Sequence, residues 1–143
     1  MPHWARILFL FFVLITASAL AETVRLSLIT ETGRYDVTAE IADTPATRAK
    51  GLMYRDNFGG DDAMVFVFPK GDQRAFWMKN TPVSLDIIFF DEDGTWLNTH
   101  AHTVPFSTES LPSHGLAKYV LELPAGRASE LGISKGAVLK LQE

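Results

Sequence analysis

Apolar and polar residues alternate along most of the chain in a way that predicts strands. From Thr23 to Ile29, Val24, Leu26 and Leu28 alternate with Arg25 and Ser27, the period of a half-buried strand. Glu31-Thr32-Gly33-Arg34 is a turn in which Gly33 supplies a positive φ. Tyr35 to Ile41 alternates again, with Tyr35, Val37, Ala39 and Ile41 inward, so the two segments predict a hairpin. The period then changes at Asp43-Thr44-Pro45, a capping side chain followed by proline at the first helical position. A short helix through Lys50, ended by Gly51, follows from it.

Met64 to Phe68 is apolar at every position, as is most of Leu85 to Phe90, so both predict strands covered on both faces. Between them, Pro69-Lys70-Gly71-Asp72 predicts a turn and Ala75 to Lys79 a strand, interrupted by Asn80-Thr81-Pro82. Asp91-Glu92-Asp93-Gly94 closes a tight hairpin. The returning strand, Thr95 to Thr103, is expected to set Trp96, Asn98, His100 and His102 on one face. Val104 to Gly115 reads as an exposed loop. Lys118 to Leu123 is a further strand, Pro124 opens a second short helix through Leu131, and Val138 to Leu141 is the last strand. Short strands, tight turns and two small helices predict a mainly β fold, an antiparallel β-sandwich or partly closed barrel.

The first residues do not fit this pattern. Arg6 precedes an apolar run from Ile7 to Ile15, and Ala19-Leu20-Ala21 supplies the small-x-small sequence of a cleavage site. The run is too short for a permanent bilayer span. The expectation is a signal peptide over 1–21 and one β domain over 22–143, periplasmic or secreted, with no permanent membrane anchor after cleavage. Retention of the segment as an anchor is the alternative. The chain of 143 residues carries a formal net charge of −4 and no basic cluster, which argues against nucleic acid as a partner. It has no cysteine, so core packing alone must hold the domain, and thiolate metal or redox chemistry is excluded.

Candidate chemistry concentrates between Phe76 and Phe90. Strand alternation sets Trp77 and Lys79 on one face and Phe76, Met78 and Asn80 on the other. Asp86 and Glu122 each interrupt an apolar strand, and a desolvated carboxylate has a raised pKa unless a cation or N–H donors hold it ionised. Either could serve as a general acid or base with Lys79 or Arg48 as electrostatic partner. The plainer reading is a structural salt bridge, with Asn80 and Asp86 satisfying backbone groups around Thr81-Pro82. His100 and His102 have the spacing of a metal-chelating pair, with Met53, Met64 and Met78 as soft ligands, but no third ligand is fixed by spacing. Asp91-x-Asp93-Gly94 lacks the later ligands of a calcium loop. No nucleophile elbow surrounds Ser107, Ser110 or Ser113.

Four separated motifs carry a resemblance. They are Ile41-Ala42-Asp43-Thr44-Pro45 with Arg48-Ala49-Lys50-Gly51-Leu52-Met53, and Met64 to Phe68. Phe76-Trp77-Met78-Lys79-Asn80-Thr81 with Leu85-Asp86-Ile87 follows, then Tyr119 to Leu123 with Ala125-Gly126, Gly132-Ile133 and Gly136. The chain resembles the DUF192 family, also called UPF0127, small bacterial and archaeal proteins without an established activity. One departure is Ala137, where the family more often has an acidic residue. The resemblance implies a mostly β, sandwich-like fold and brings no reaction, cofactor or catalytic residue with it. The reading that results is an exported, non-catalytic module that binds an unknown small ligand or envelope protein without a cofactor. Its mouth is expected at Arg48, Met53, Trp77, Lys79, Asn80, Asp86 and Glu122. The alternatives are an envelope hydrolase using Asp86 or Glu122, and a periplasmic metal-binding protein using His100 and His102.

Overall fold

A computed structural model describes residues 20–143. The expected signal peptide therefore lies outside the described residues, apart from Leu20 and Ala21. Among the described residues no helix is long and apolar enough to cross a membrane. The chain order is β1 (Thr23–Thr30), β2 (Gly33–Ala42), α1 (Pro45–Lys50), β3 (Met64–Asp72), β4 (Ala75–Phe76), β5 (Leu85–Phe90), β6 (Trp96–His100), β7 (Leu111–Pro112), β8 (Ala117–Pro124), α2 (Arg127–Glu130) and β9 (Val138–Leu141). The fold is mainly β with two short helices.

Seven strands form one sheet in the order β6-β5-β8-β3-β2-β1-β9, and β4 and β7 form a second, two-stranded sheet. β1 and β2 make the expected hairpin, Thr30 opposite Gly33. β2 and β3 run parallel, with Glu40 opposite Met64, so the large sheet is mixed. The cause is the intervening crossover, since α1 and the loop after it return the chain to the same end of the sheet. α1 starts as its sequence requires: the Thr44 hydroxyl accepts the N–H of Thr47 and the Thr47 hydroxyl accepts that of Thr44, a reciprocal cap.

The sheet curls until its outer strands touch. Thr95 and Val138 form a single bridge, Trp96 N–H donates to the Ala137 carbonyl at 3.0 Å, and Leu139 N–H to that of Gly94 at 2.8 Å. This stops short of a closed barrel. Strand alternation divides the core in two. Val65, Ile88, Phe90, Leu121 and Leu123 pack inside the curl with Leu26, Leu28 and Leu139. Met64, Phe66, Leu85, Ile87, Phe89 and Val120 pack on the other face, under Leu52, Met78 and Phe76.

Several local expectations give way. β3 runs on through Pro69-Lys70-Gly71-Asp72, because after an irregularity Asp72 pairs again, with Ala117. The strand predicted over Ala75 to Lys79 shrinks to two residues, because only Ala75 and Phe76 find a partner, in Leu111-Pro112 of the predicted loop. β6 has a bulge: Phe90 faces Trp96 but Phe89 faces Asn98, so Leu97 is the extra residue. Trp96 consequently packs with the inner core while Leu97 packs with the outer one. β6 ends at His100, and His102 takes φ 49°, so the single face expected for Trp96, Asn98, His100 and His102 does not form. α2 is one turn beginning at Arg127, since Pro124 is still paired in β8 opposite Leu85.

Candidate functional site

The outer core is not sealed. Between α1, the segment after it, and the chain around Phe76 lies an open cleft of about 410 Å³, lined by Arg48, Lys50, Leu52, Met53, Phe66, Phe68, Phe76, Trp77, Thr81 and Glu122 among others. Its aromatic wall follows from packing: Phe76 meets Phe66 edge-on at 4.9 Å and Phe89 at 5.7 Å, which fixes the chain just before Trp77. Trp77 itself is 47% exposed, with the Lys79 ammonium 5.1 Å from its ring.

Glu122 lies at the base of this cleft. It stands on β8 opposite Met64 of β3 and Ile87 of β5, on the outer-core face, and is 5% exposed. Among the described residues its Oε2 has no hydrogen-bond partner, a rare condition for a buried oxygen. No ion pair among the described residues includes it. Burial pushes the carboxyl up to about 8, so near neutral pH the group is a neutral acid with an O–H to donate.

The Arg48 and Thr81 side chains of the lining are already engaged. Arg48 Nη1 donates to the carbonyls of Asp43 at 2.7 Å and Val67 at 3.1 Å, and its guanidinium stands 5.0 Å from the Phe68 ring. Arg74 covers the same ring at 3.5 Å, and burial lowers its pKa. The Thr81 hydroxyl donates to the Lys79 carbonyl at 3.0 Å. The lining thus offers apolar walls, cations at the mouth in Arg48 and Lys50, and one unpaired acid at depth.

Of the seven residues expected at a mouth, four line this cleft: Arg48, Met53, Trp77 and Glu122. Lys79 stands beside it against Trp77. Asn80 is instead a turn residue at φ 53°, where asparagine is tolerated. Its carbonyl accepts the Tyr54 N–H at 2.7 Å and its side-chain amide donates to the Tyr54 hydroxyl at 3.0 Å.

Asp86 does not reach the cleft. It faces the inner core opposite Leu123 and is fully buried. Oδ1 accepts the His102 N–H at 3.0 Å, and Oδ2 accepts those of Gly126 at 3.0 Å and Ala128 at 2.9 Å. These donors replace the salt bridge to Lys79 or Arg48 that the sequence had suggested, and they leave Asp86 in a structural position rather than that of an acid or base. His100 and His102 make different contacts. The His100 ring lies edge-on to Phe89 and shares Nε2 with the Pro112 carbonyl at 2.7 Å, while His102 sits against Gly126. No group of three or more metal-ligating side chains occurs among the described residues.

Among the cleft residues that sequence reasoning left in the core or unremarked are Lys50, Leu52, Phe66, Phe68, Phe76 and Thr81. An alternating strand shows which side chains share a face but not where the cover on that face stops. A second feature was also hidden. Tyr54, Asn80, His102 and Phe106 are non-glycine residues with positive φ, of 66°, 53°, 49° and 63°. Three of them join one hydrogen-bonded corner beside the cleft, with Phe106 N–H on the Thr81 carbonyl at 3.0 Å. Such backbone is costly and persists only where neighbours over-determine it.

Comparison with known proteins agrees with this fold. Five solved chains match, among them a protein of unknown function from Novosphingobium aromaticivorans DSM 12444 and a proposed transcription regulator from Sinorhizobium meliloti 1021. The first is 37% identical with a TM-score of 0.79, covering 82% of this chain and 84% of its own. The second is 38% identical with a TM-score of 0.82, covering 87% and 98%. No curated protein matches in sequence. The family model described as DUF192, Uncharacterized ACR, matches residues 27–141, and the chain belongs to that family.

Proposed function

We propose that this chain is an exported single-domain module that binds a small ligand in the cleft above Glu122, without catalysing its conversion. One observation carries the reading: a buried carboxyl with an unpartnered oxygen lies at the base of an open, mostly apolar cleft. Ligand sites commonly have this form, apolar walls with few convergent polar groups. Leaving a buried polar atom unpaired costs about 1–3 kcal/mol, which a ligand supplying the missing bond would recover.

Glycan hydrolysis is the less suitable reading. It normally needs two carboxylates flanking the bond, and Glu122 is the one carboxylate in the lining. The regulator description of the Sinorhizobium relative transfers poorly too. Neither α1 nor α2 exceeds six residues, and a helix-turn-helix requires a recognition helix long enough to lie in the major groove.

A screen of small amphipathic compounds against the full chain by NMR tests the reading. Saturable shifts are expected at the Trp77 indole and the Met53 methyl, abolished by Trp77→Ala. Shifts scattered over the surface, or none from any compound class, would remove the cleft as a site. Export is tested separately by the mass of the protein recovered from its native cell, expected to begin near Glu22.

A further inference from the structure

The cleft's polar groups are too few and too differently placed to accept every kind of ligand. Resting on the cleft being a ligand site, we propose that it selects amphipathic anions that carry a neutral hydrogen-bond acceptor on an apolar body. The body lies among Phe66, Phe68, Phe76 and Trp77. The anionic group meets Arg48 and Lys50 at the mouth, and the acceptor, a ketone or hydroxyl oxygen, accepts a hydrogen bond from the Glu122 O–H.

Three observations converge on this class. Glu122 is buried with Oε2 unpartnered, so the base of the cleft has an unused polar group while Thr81 and Arg48 Nη1 are engaged elsewhere. The charged side chains of the lining apart from Glu122 itself are Arg48 and Lys50, both cations, so an amine approaching the base would pass like charge. An anion driven to full depth would be desolvated among phenyl rings without a cation, which is strongly unfavourable. The anion therefore belongs at the mouth and the neutral acceptor below.

The groups around Glu122 leave its proton in place. β3 contributes Met64 and β5 contributes Ile87, and Asp86 points to the opposite face. From α1 come Arg48 and Lys50; Lys79, on the segment beyond Trp77, lies outside the lining. Desolvation is the cause of the raised pKa, with no charged neighbour contributing to it. Recognition by the O–H must then fail as the acid ionises.

The test uses the full chain and three probes: benzoylpropionate, which has a phenyl ring, a ketone and a carboxylate; phenylbutyrate, which lacks the ketone; and phenethylamine. With the acid titrating at about 8, benzoylpropionate should bind roughly thirtyfold more weakly at about pH 9.5 than at about pH 6.5. Glu122→Gln, which keeps a donor but cannot ionise, should bind it with a flat pH profile. Lys50→Glu, at an exposed position, should weaken it about tenfold or more at both pH values. Phenylbutyrate should bind more weakly and with no such pH dependence.

Benzoylpropionate binding at the cleft with a flat pH profile in the unmodified protein would overturn this inference while leaving the cleft a ligand site. So would phenethylamine binding more tightly as pH rises. Absence of cleft shifts with all three probes and with the wider compound screen would overturn both readings. The Lys50→Glu result and the wild-type pH profile decide the matter even if Glu122→Gln does not fold.

Discussion

The carboxylate of Asp86 on β5 accepts the N–H of Ala128 in α2 at 2.9 Å, joining groups 42 residues apart. The same oxygen holds Gly126, and its partner oxygen holds His102. One side chain thereby ties two segments, the chain just after β6 and the start of α2, to β5, and the apolar face of α2 follows, with Ala128 and Leu131 placed in the inner core.

Asp86→Ala is expected to cost about 3–5 kcal/mol, because three backbone donors lose their acceptor at once. Asp86→Asn, which retains one acceptor oxygen, should cost less. Urea denaturation of both variants measures the difference, and a loss under about 1 kcal/mol for the alanine would show the network to be dispensable.

Glu122 gives stability a definite pH dependence. Its folded value of about 8 lies above the ordinary 4.5, so between these the native state holds a proton that the unfolded chain has released. Stability is therefore complete below about pH 4.5 and declines as pH rises through about 8, by up to about 5 kcal/mol. Denaturation midpoints across that window should fall in the wild type, and Glu122→Gln should remove this component of the slope.

Gly94 is required by the seam between β6 and β9. It has φ +79°, and a Cβ there would overlap the carbonyl oxygen of Leu139, whose N–H Gly94 accepts. Gly94→Ala should cost about 2–4 kcal/mol, seen as a lower Tm. Gly136, also at positive φ but with open space around it, should tolerate alanine better.

Trp77 separates binding from folding. Nearly half of its surface is exposed, so Trp77→Ala is expected to change stability by less than about 1 kcal/mol. The same change should abolish saturable binding in the cleft, read by NMR shifts at Met53.

β1 and β2 were legible because alternation has a period of two, and β5 because a short apolar run marks a strand covered on both faces. Thr44 and Pro45 announced α1 through local chemistry alone. The failures share a cause, which is pairing that local sequence does not encode. Leu97 looks like any strand residue until Trp96 and Asn98 must both find partners on β5. Asp86 and Glu122 look alike in sequence, each a carboxylate in an apolar strand. Their fates differ because α2 brings backbone donors to one, while the outer face leaves the other under a cleft.

The pairing of β1 with β9 sets Leu26 opposite Leu141, near the two ends of the described domain. That contact closes a loop of more than one hundred residues, among the most entropically demanding kinds of closure. The hairpins of β1 with β2 and β5 with β6 can form early from nearby sequence, but β1 keeps an open edge until the last strand arrives. Folding should therefore end with the carboxyl-terminal strand, so that a chain still being synthesised holds a half-edged sheet until Val138 to Leu141 can dock.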